Sequence, residues 1–168
     1  PPAGQQRREP SNRSPDGKWT VWFENLKAGG PHDLSVKAGN QVDVKDVMIG
    51  EVWLGSGQSN MAMAVNRAKD YEAEKAAATT PEIRQFLVSS GASPVAKDDC
   101  DGKWTVCSPE TVGGFSATAY FFGREIHREL KVPVGLINSS VGGTPIETWI
   151  EAFEQQSTPA FEGFFEEV

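Results

Sequence analysis

The sequence predicts an α/β fold, a parallel sheet flanked by helices and preceded by a short β-rich segment. Two observations carry this. From Glu51 onward, short apolar runs alternate with helix-forming stretches, and strand-helix alternation builds a parallel sheet covered on both faces. Before Glu51 the runs are β-branched or aromatic and are separated by Gly-Gly-Pro and Gly-Asn turns, as in antiparallel strands.

Taken in order, residues 1–16 ("PPAGQQRREPSNRSPD") are polar and Pro-rich without periodicity, and are expected to form a tail or linker. Residues 17–48 form the β-rich segment, with strands expected over 18–26, 32–38 and 41–48, the end of an antiparallel sheet or β-sandwich. Residues 49–168 carry the α/β grammar. Strands are expected over 51–55, 83–89, 103–108 and 132–140. Good helix formers over 60–78 predict one helix, despite a weak apolar stripe. The segment 116–130 is the best helix, with Ala119, Phe122, Ile126 and Leu130 as its buried stripe and Arg124, Glu125 and Arg128 facing outward. Pro145 stands at the first turn of a final helix, "IETWIEAFEQQ".

Composition removes several classes of function. A net charge of −7 over 168 residues, with no cluster of Lys and Arg, argues against a nucleic-acid partner or an anionic membrane surface. No apolar run approaches the length of a membrane-spanning helix. Cys100 and Cys107 bracket "DGKWTV", and two readings stand open, a hairpin disulfide or a pair of reduced thiols. "KDDCDG" (97–102) has Lys97 where a calcium loop needs its first ligand, so it reads as a solvated acidic turn.

The chemistry concentrates in two loops at the carboxyl ends of strands, where ligands bind in open α/β sheets. In "GEVWLGSGQSNM" (50–61), Gly57 permits a tight turn and Ser59 projects at its top, beside Gln58 and Asn60. The stretch is not Gly-x-Ser-x-Gly, because Met61 occupies the place of the second glycine. In "SSVGGTPIETW" (139–149), Gly142 or Gly143 would let backbone N–H groups approach a substrate oxygen and complete an oxyanion hole with the N–H of Ser59. Taken alone, each loop is read more simply as structure, a Ser-Asn helix cap and a Gly-Gly-Thr-Pro turn.

Several segments in one order are more specific. "GEVWLGSGQSNM" resembles the first signature block of the sialate O-acetylesterase family, in the SGNH (GDSL-like) hydrolase superfamily. The similarity extends to "GGPHDLSV", "GGFSATAYFFGREIHREL" and "VPVGLINSSVGGTPIETW", covering roughly residues 18–151. The resemblance implies a flavodoxin-like three-layer α/β/α sandwich, here partial, joined to β-sandwich elements. It also implies removal of acetyl groups from sugars, with Ser59 as nucleophile, Ser59, Gly142 and Gly143 at the oxyanion, and Gln58 and Asn60 toward the substrate. No metal or organic cofactor is implied, and the expected partner is an acetylated carbohydrate.

The resemblance also marks what is missing. A serine needs a base oriented by a carboxylate, and the chain has only His32 and His127. His32 reads as a turn residue and His127 as a packing residue within a helix. The family's later Gln-Gly-Glu and Asp-x-x-His blocks do not occur, so the chain is expected to be a piece of a longer protein and, by itself, a poor catalyst. A non-catalytic carbohydrate-binding or scaffold protein of the same fold is the alternative. Family resemblance and the possible disulfide together point to a secreted or periplasmic location.

Overall fold

The computed structural model describes residues 17–159 apart from 90, 92 and 94. The polar stretch 1–16 and the segment from 160 onward, including "FEGFFEEV", therefore lie outside the described residues.

Strands β1 (Gly29–Lys37) and β2 (Gln41–Ile49) form an antiparallel two-stranded sheet with Val36 opposite Val42. The strand expected over 18–26 does not form. Its aromatic run has the composition of a strand, but a strand exists only with a ladder partner, and among the described residues β1 and β2 pair only with each other. Trp22 is left 78% exposed.

Gly50 leads directly from β2 into β3 (Glu51–Gly57). A Cβ at Gly50 would stand 2.0 Å from the carbonyl oxygen of Pro133, which accepts the N–H of Glu51 at 2.9 Å, so only glycine fits this junction. Arg84 ties the hairpin to the sheet by donating to both the carbonyl and the carboxylate of Asp46, each at 2.8 Å.

The main sheet has four strands in the order β3-β6-β4-β5, where β4 is Ile83–Val88, β5 Gly102–Val106 and β6 Val134–Ser140. β6 pairs in parallel with both β3 and β4, as the alternating pattern requires. β5 instead pairs antiparallel with β4. Among the described residues no helix lies between β4 and β5, and the two strands pair as a hairpin rather than through a crossover.

One face of this sheet carries the core. Helix α3 (Ala117–Leu130) packs there with Val65, Ala78, Val112 and Phe115 over Ile83, Val134 and Leu136. The expected stripe shifts around the helix: Ala117, Ala119, Tyr120 and Gly123 are buried, Ile126 packs against the core, and Leu130 and Phe122 are exposed. Gly123 explains the rotation, because it lets α3 approach β6 so closely that a Cβ would meet Leu136 at 2.8 Å. Phe122 then falls over the edge strand, edge-on to Trp53 at 5.0 Å. On the opposite face Val52 and Leu54 remain 61% and 66% exposed.

The single helix expected over 60–78 is three pieces, α1 (Ser59–Ala62), a 3₁₀ turn (Val65–Arg67) and α2 (Tyr71–Ala77). Good helix formers lose here to tertiary hydrogen bonds. Ala64 bridges to Ser116, Val65 donates to the carbonyl of Phe115, and Asp70 starts α2 from a left-handed conformation (φ 58°). The final helix is likewise broken into a 3₁₀ turn (Ile146–Trp149) and α4 (Ala152–Ser157). Buried Gln155 fills the break, donating to the carbonyls of Glu147 and Ile150. Both cysteines are free thiols, Cys100 exposed and Cys107 buried, which decides between the two readings left open above. No helix among the described residues is long and apolar enough to cross a membrane.

Candidate active site

The two loops meet because their strands are parallel and in register. Ser56 lies opposite Ser139 and Gly57 opposite Ser140, so β3 and β6 end at the same height and their following loops emerge side by side. The N–H of Val141 donates to the carbonyl of Gly57 at 2.9 Å, closing the last rung. Gly57 then turns the chain with φ 134°, a conformation that side chains disfavour.

Ser59 opens α1 and is exposed. Its hydroxyl donates to Oε1 of Gln58 at 3.2 Å, a long bond to an exposed side chain that a competing partner can replace. A Cβ placed on Gly142 would lie 3.8 Å from the Cβ of Ser59 and 3.9 Å from its Cα. The structure thus sets Gly142 against Ser59. Gly143 has a different part, supplying the turn with φ 83°, and a Cβ built on it would touch nothing within 4 Å. Thr144 braces the loop, donating to the carbonyl of Val141 at 2.8 Å and accepting from the indole of Trp149 at 2.9 Å.

Because α1 is a single turn, it contributes little macrodipole; its use lies in individual N–H groups. Those of Met61 and Ala62 bond to the carbonyl of Gln58. The N–H groups of Ser59 and Asn60 begin the turn and have no carbonyl four residues back within it. An exposed hydroxyl beside such donors, flanked by the methyl-free edge of Gly142, has the parts to attack a carbonyl carbon and to hold the charge that develops on its oxygen.

Neither histidine is brought to this end of the sheet. His127 lies in the last turn of α3, its Nδ1 2.8 Å from the carbonyl of Val132 and its Nε2 3.5 Å from Glu82, beside the start of β6. His32 is exposed in β1, opposite Val47. A cleft of about 400 Å³ also lies at the amino ends of the strands, lined by Val47, Met48, Arg84, Trp104 and Pro133, and is distinct from the Ser59 edge. Sequence reading missed Ser116 and Thr118, whose hydroxyls reach back from α3 to the carbonyls of α1. The available signal was the Ser-x-Thr pair at the start of the strongest helix.

Fold and site together define an α/β protein with a serine on the turn after one parallel strand and a glycine from the neighbouring strand's loop beside it. A family model described as carbohydrate esterase, sialic acid-specific acetylesterase, matches residues 49–165, and the chain belongs to this family. It is 35% identical to the sialate O-acetylesterase of Rattus norvegicus over 153 residues, and 34% identical to that of Homo sapiens over 148 residues. These alignments cover 83% and 78% of the chain but 28% of each relative, so the chain spans somewhat more than a quarter of their length. A crystal structure of a carbohydrate acetylesterase from Xanthomonas citri superposes with a TM-score of 0.80 at 36% identity, covering 85% of this chain and 34% of that one.

Proposed function

We propose that the protein containing this chain is a carbohydrate O-acetylesterase and that Ser59 is its nucleophile. The observation that carries the reading is the approach of Gly142 to Ser59, close enough that a Cβ on Gly142 would touch the serine, between two loops that are more than eighty residues apart in the chain. Family membership supports the substrate class, an acetyl ester on a sugar, and the relatives named sialate O-acetylesterase favour a sialic acid. In this reading the Ser59 oxygen attacks the acetyl carbonyl while its proton passes to a base. The backbone N–H of Ser59, with one from the Gly142-Gly143 turn, holds the oxyanion. Collapse of that intermediate expels the sugar hydroxyl and leaves acetyl on Ser59, which water then releases as acetate. Gln58 and Asn60 face the substrate. The base and its carboxylate come from outside the described residues.

The test uses the protein as its gene encodes it. Acetate release from O-acetylated sialic acid and from acetylated xylan is measured for the wild type and for Ser59→Ala, with an organofluorophosphonate used to label the active serine. A loss of about a thousandfold or more in the variant, with wild-type label on Ser59, is expected. An unlabelled Ser59 together with unchanged acetate release in Ser59→Ala would remove the reading. A protein that binds acetylated sugar but neither labels nor releases acetate would be the non-catalytic relative instead.

A further inference from the structure

We infer that Ser116 and Thr118, at the amino end of α3, are positioning residues that clamp the Ser59 turn; this rests on the reading of Ser59 as nucleophile. The difficulty they resolve is local. Helix α1 has four residues, none of them buried, and no side chain caps its start. One isolated turn is unstable, because nucleation costs more than a single hydrogen bond returns. The turn that presents the nucleophile therefore cannot hold its own shape.

What holds it is supplied across a gap of more than fifty residues. In a continuing helix the carbonyls of Asn60 and Met61 would accept from residues 64 and 65. Here the chain leaves the helix after Ala62, and the N–H of Val65 goes instead to the carbonyl of Phe115 at 2.9 Å. The stranded carbonyls are taken by α3. Ser116 Oγ donates to the carbonyl of Met61 at 2.6 Å, and Thr118 Oγ1 donates to that of Asn60 at 3.0 Å. The N–H of Ala117 adds a bond to the carbonyl of Met63 at 2.7 Å.

The clamp is itself anchored. Ser116 is 1% exposed, and its N–H donates at 2.7 Å to Oε1 of Gln85, which is buried on β4 next to the central strand β6. Its Oγ also accepts from the N–H of Ala119 at 3.2 Å, capping α3. Met61 completes the fit from the other side, its sulfur lying where a Cβ on Gly55 would meet it at 3.0 Å. A continuous path runs from β4 through Gln85 and Ser116 to the backbone two residues after Ser59. Displacement of a reacting group by about 1 Å can cost on the order of a hundredfold in rate, so this path has a kinetic consequence.

The experiment compares Ser116→Ala, Ser116→Gly, Thr118→Val and Thr118→Ser in the gene-encoded protein, reading kcat, KM and the rate of fluorophosphonate labelling. Thr118 is exposed, so its valine variant is expected to fold. It should lose about tenfold in kcat and in labelling rate at unchanged KM, with Thr118→Ser restoring both to within about twofold. Ser116→Ala should lose about a hundredfold in both. Glycine caps nearly as well as serine but donates nothing, so Ser116→Gly should match alanine and separate the clamp from the capping of α3. Wild-type kcat and labelling in Thr118→Val and Ser116→Gly would overturn the clamp while leaving Ser59 as nucleophile. A change confined to KM would overturn it as well. Failure of the wild type to label, with Ser59→Ala fully active, would overturn both readings together. If a Ser116 variant does not fold, the Thr118 pair decides.

Discussion

Tyr120 donates its phenolic hydrogen to Glu74 at 2.8 Å, and Arg124, one turn further along α3, grips the same carboxylate. Helix α2 has no buried residue of its own, so this shared carboxylate is a principal tie between it and the core helix. The Arg124 guanidinium also lies 5.0 Å from the ring centre of Phe121, which helps fix its orientation.

The tie sets an alkaline limit. Burial first, then the bond donated to Glu74, pushes the Tyr120 phenol well above the usual tyrosine range. The fold thus favours the neutral phenol, and its contribution is complete below the ordinary value of 10.0 and is lost as pH rises through the raised one. Absorbance at the phenolate band, compared with Tyr120→Phe, should show Tyr120 ionising only together with loss of the circular dichroism signal. Ionisation at an ordinary tyrosine pH in a folded protein would contradict this.

The thiols should separate by burial. Cys100 is exposed and Cys107 buried, and burial foremost pushes the Cys107 thiol up, which leaves little thiolate to react. A thiol reagent should modify Cys100 promptly in the native protein and Cys107 only on unfolding. Mass spectrometry without reductant should find both free; a Cys100–Cys107 disulfide would refute it.

Gly123→Ala tests the contact that rotates α3. Alanine favours the helix by about 1 kcal/mol, but its methyl would meet Leu136 at 2.8 and 2.9 Å in a fully packed site. Overpacking of this kind costs about 1–3 kcal/mol, so a net loss of about 1 kcal/mol is expected in denaturant unfolding. Leu136→Val should recover part of it, so that the double variant is more stable than the sum of the singles.

The two glycines of the second loop should exchange effects. Gly143→Ala forces a side chain into φ 83° and should cost about 1 kcal/mol of stability. Gly142→Ala meets only ordinary contacts and should cost less than about 0.5 kcal/mol. Its methyl lies against Ser59, however, so acetate release should fall further in Gly142→Ala than in Gly143→Ala. Thermal unfolding and initial rates on both variants check the crossing.

The strands β3, β4 and β6 and helix α3 could be located from the sequence because each is a run whose apolar content suits one local geometry. Ser59 and the Gly142-Gly143 turn were legible for a related reason: both follow strands of a parallel sheet, and such loops share one edge whatever the strand order. The segment 18–26 was misread because an aromatic run specifies a wish for burial and not a ladder partner. Residues 60–78 were misread because helix propensity is worth tenths of a kcal/mol per residue, less than the hydrogen bonds that draw residues 63–65 onto residues 115–117.

The sequence by itself therefore determined the α/β class, the serine-bearing turn and the family, all of which reside in local pattern and ordered motifs. Tertiary structure alone decided that Gly142 rather than Gly143 lies against Ser59 and that Cys100 and Cys107 stay apart. It also decided that the serine turn is held by Ser116 and Thr118. These are relations between segments distant in the chain, fixed by strand register and by which carbonyls left over by a broken helix need a donor, and neither quantity is written in any single stretch of residues.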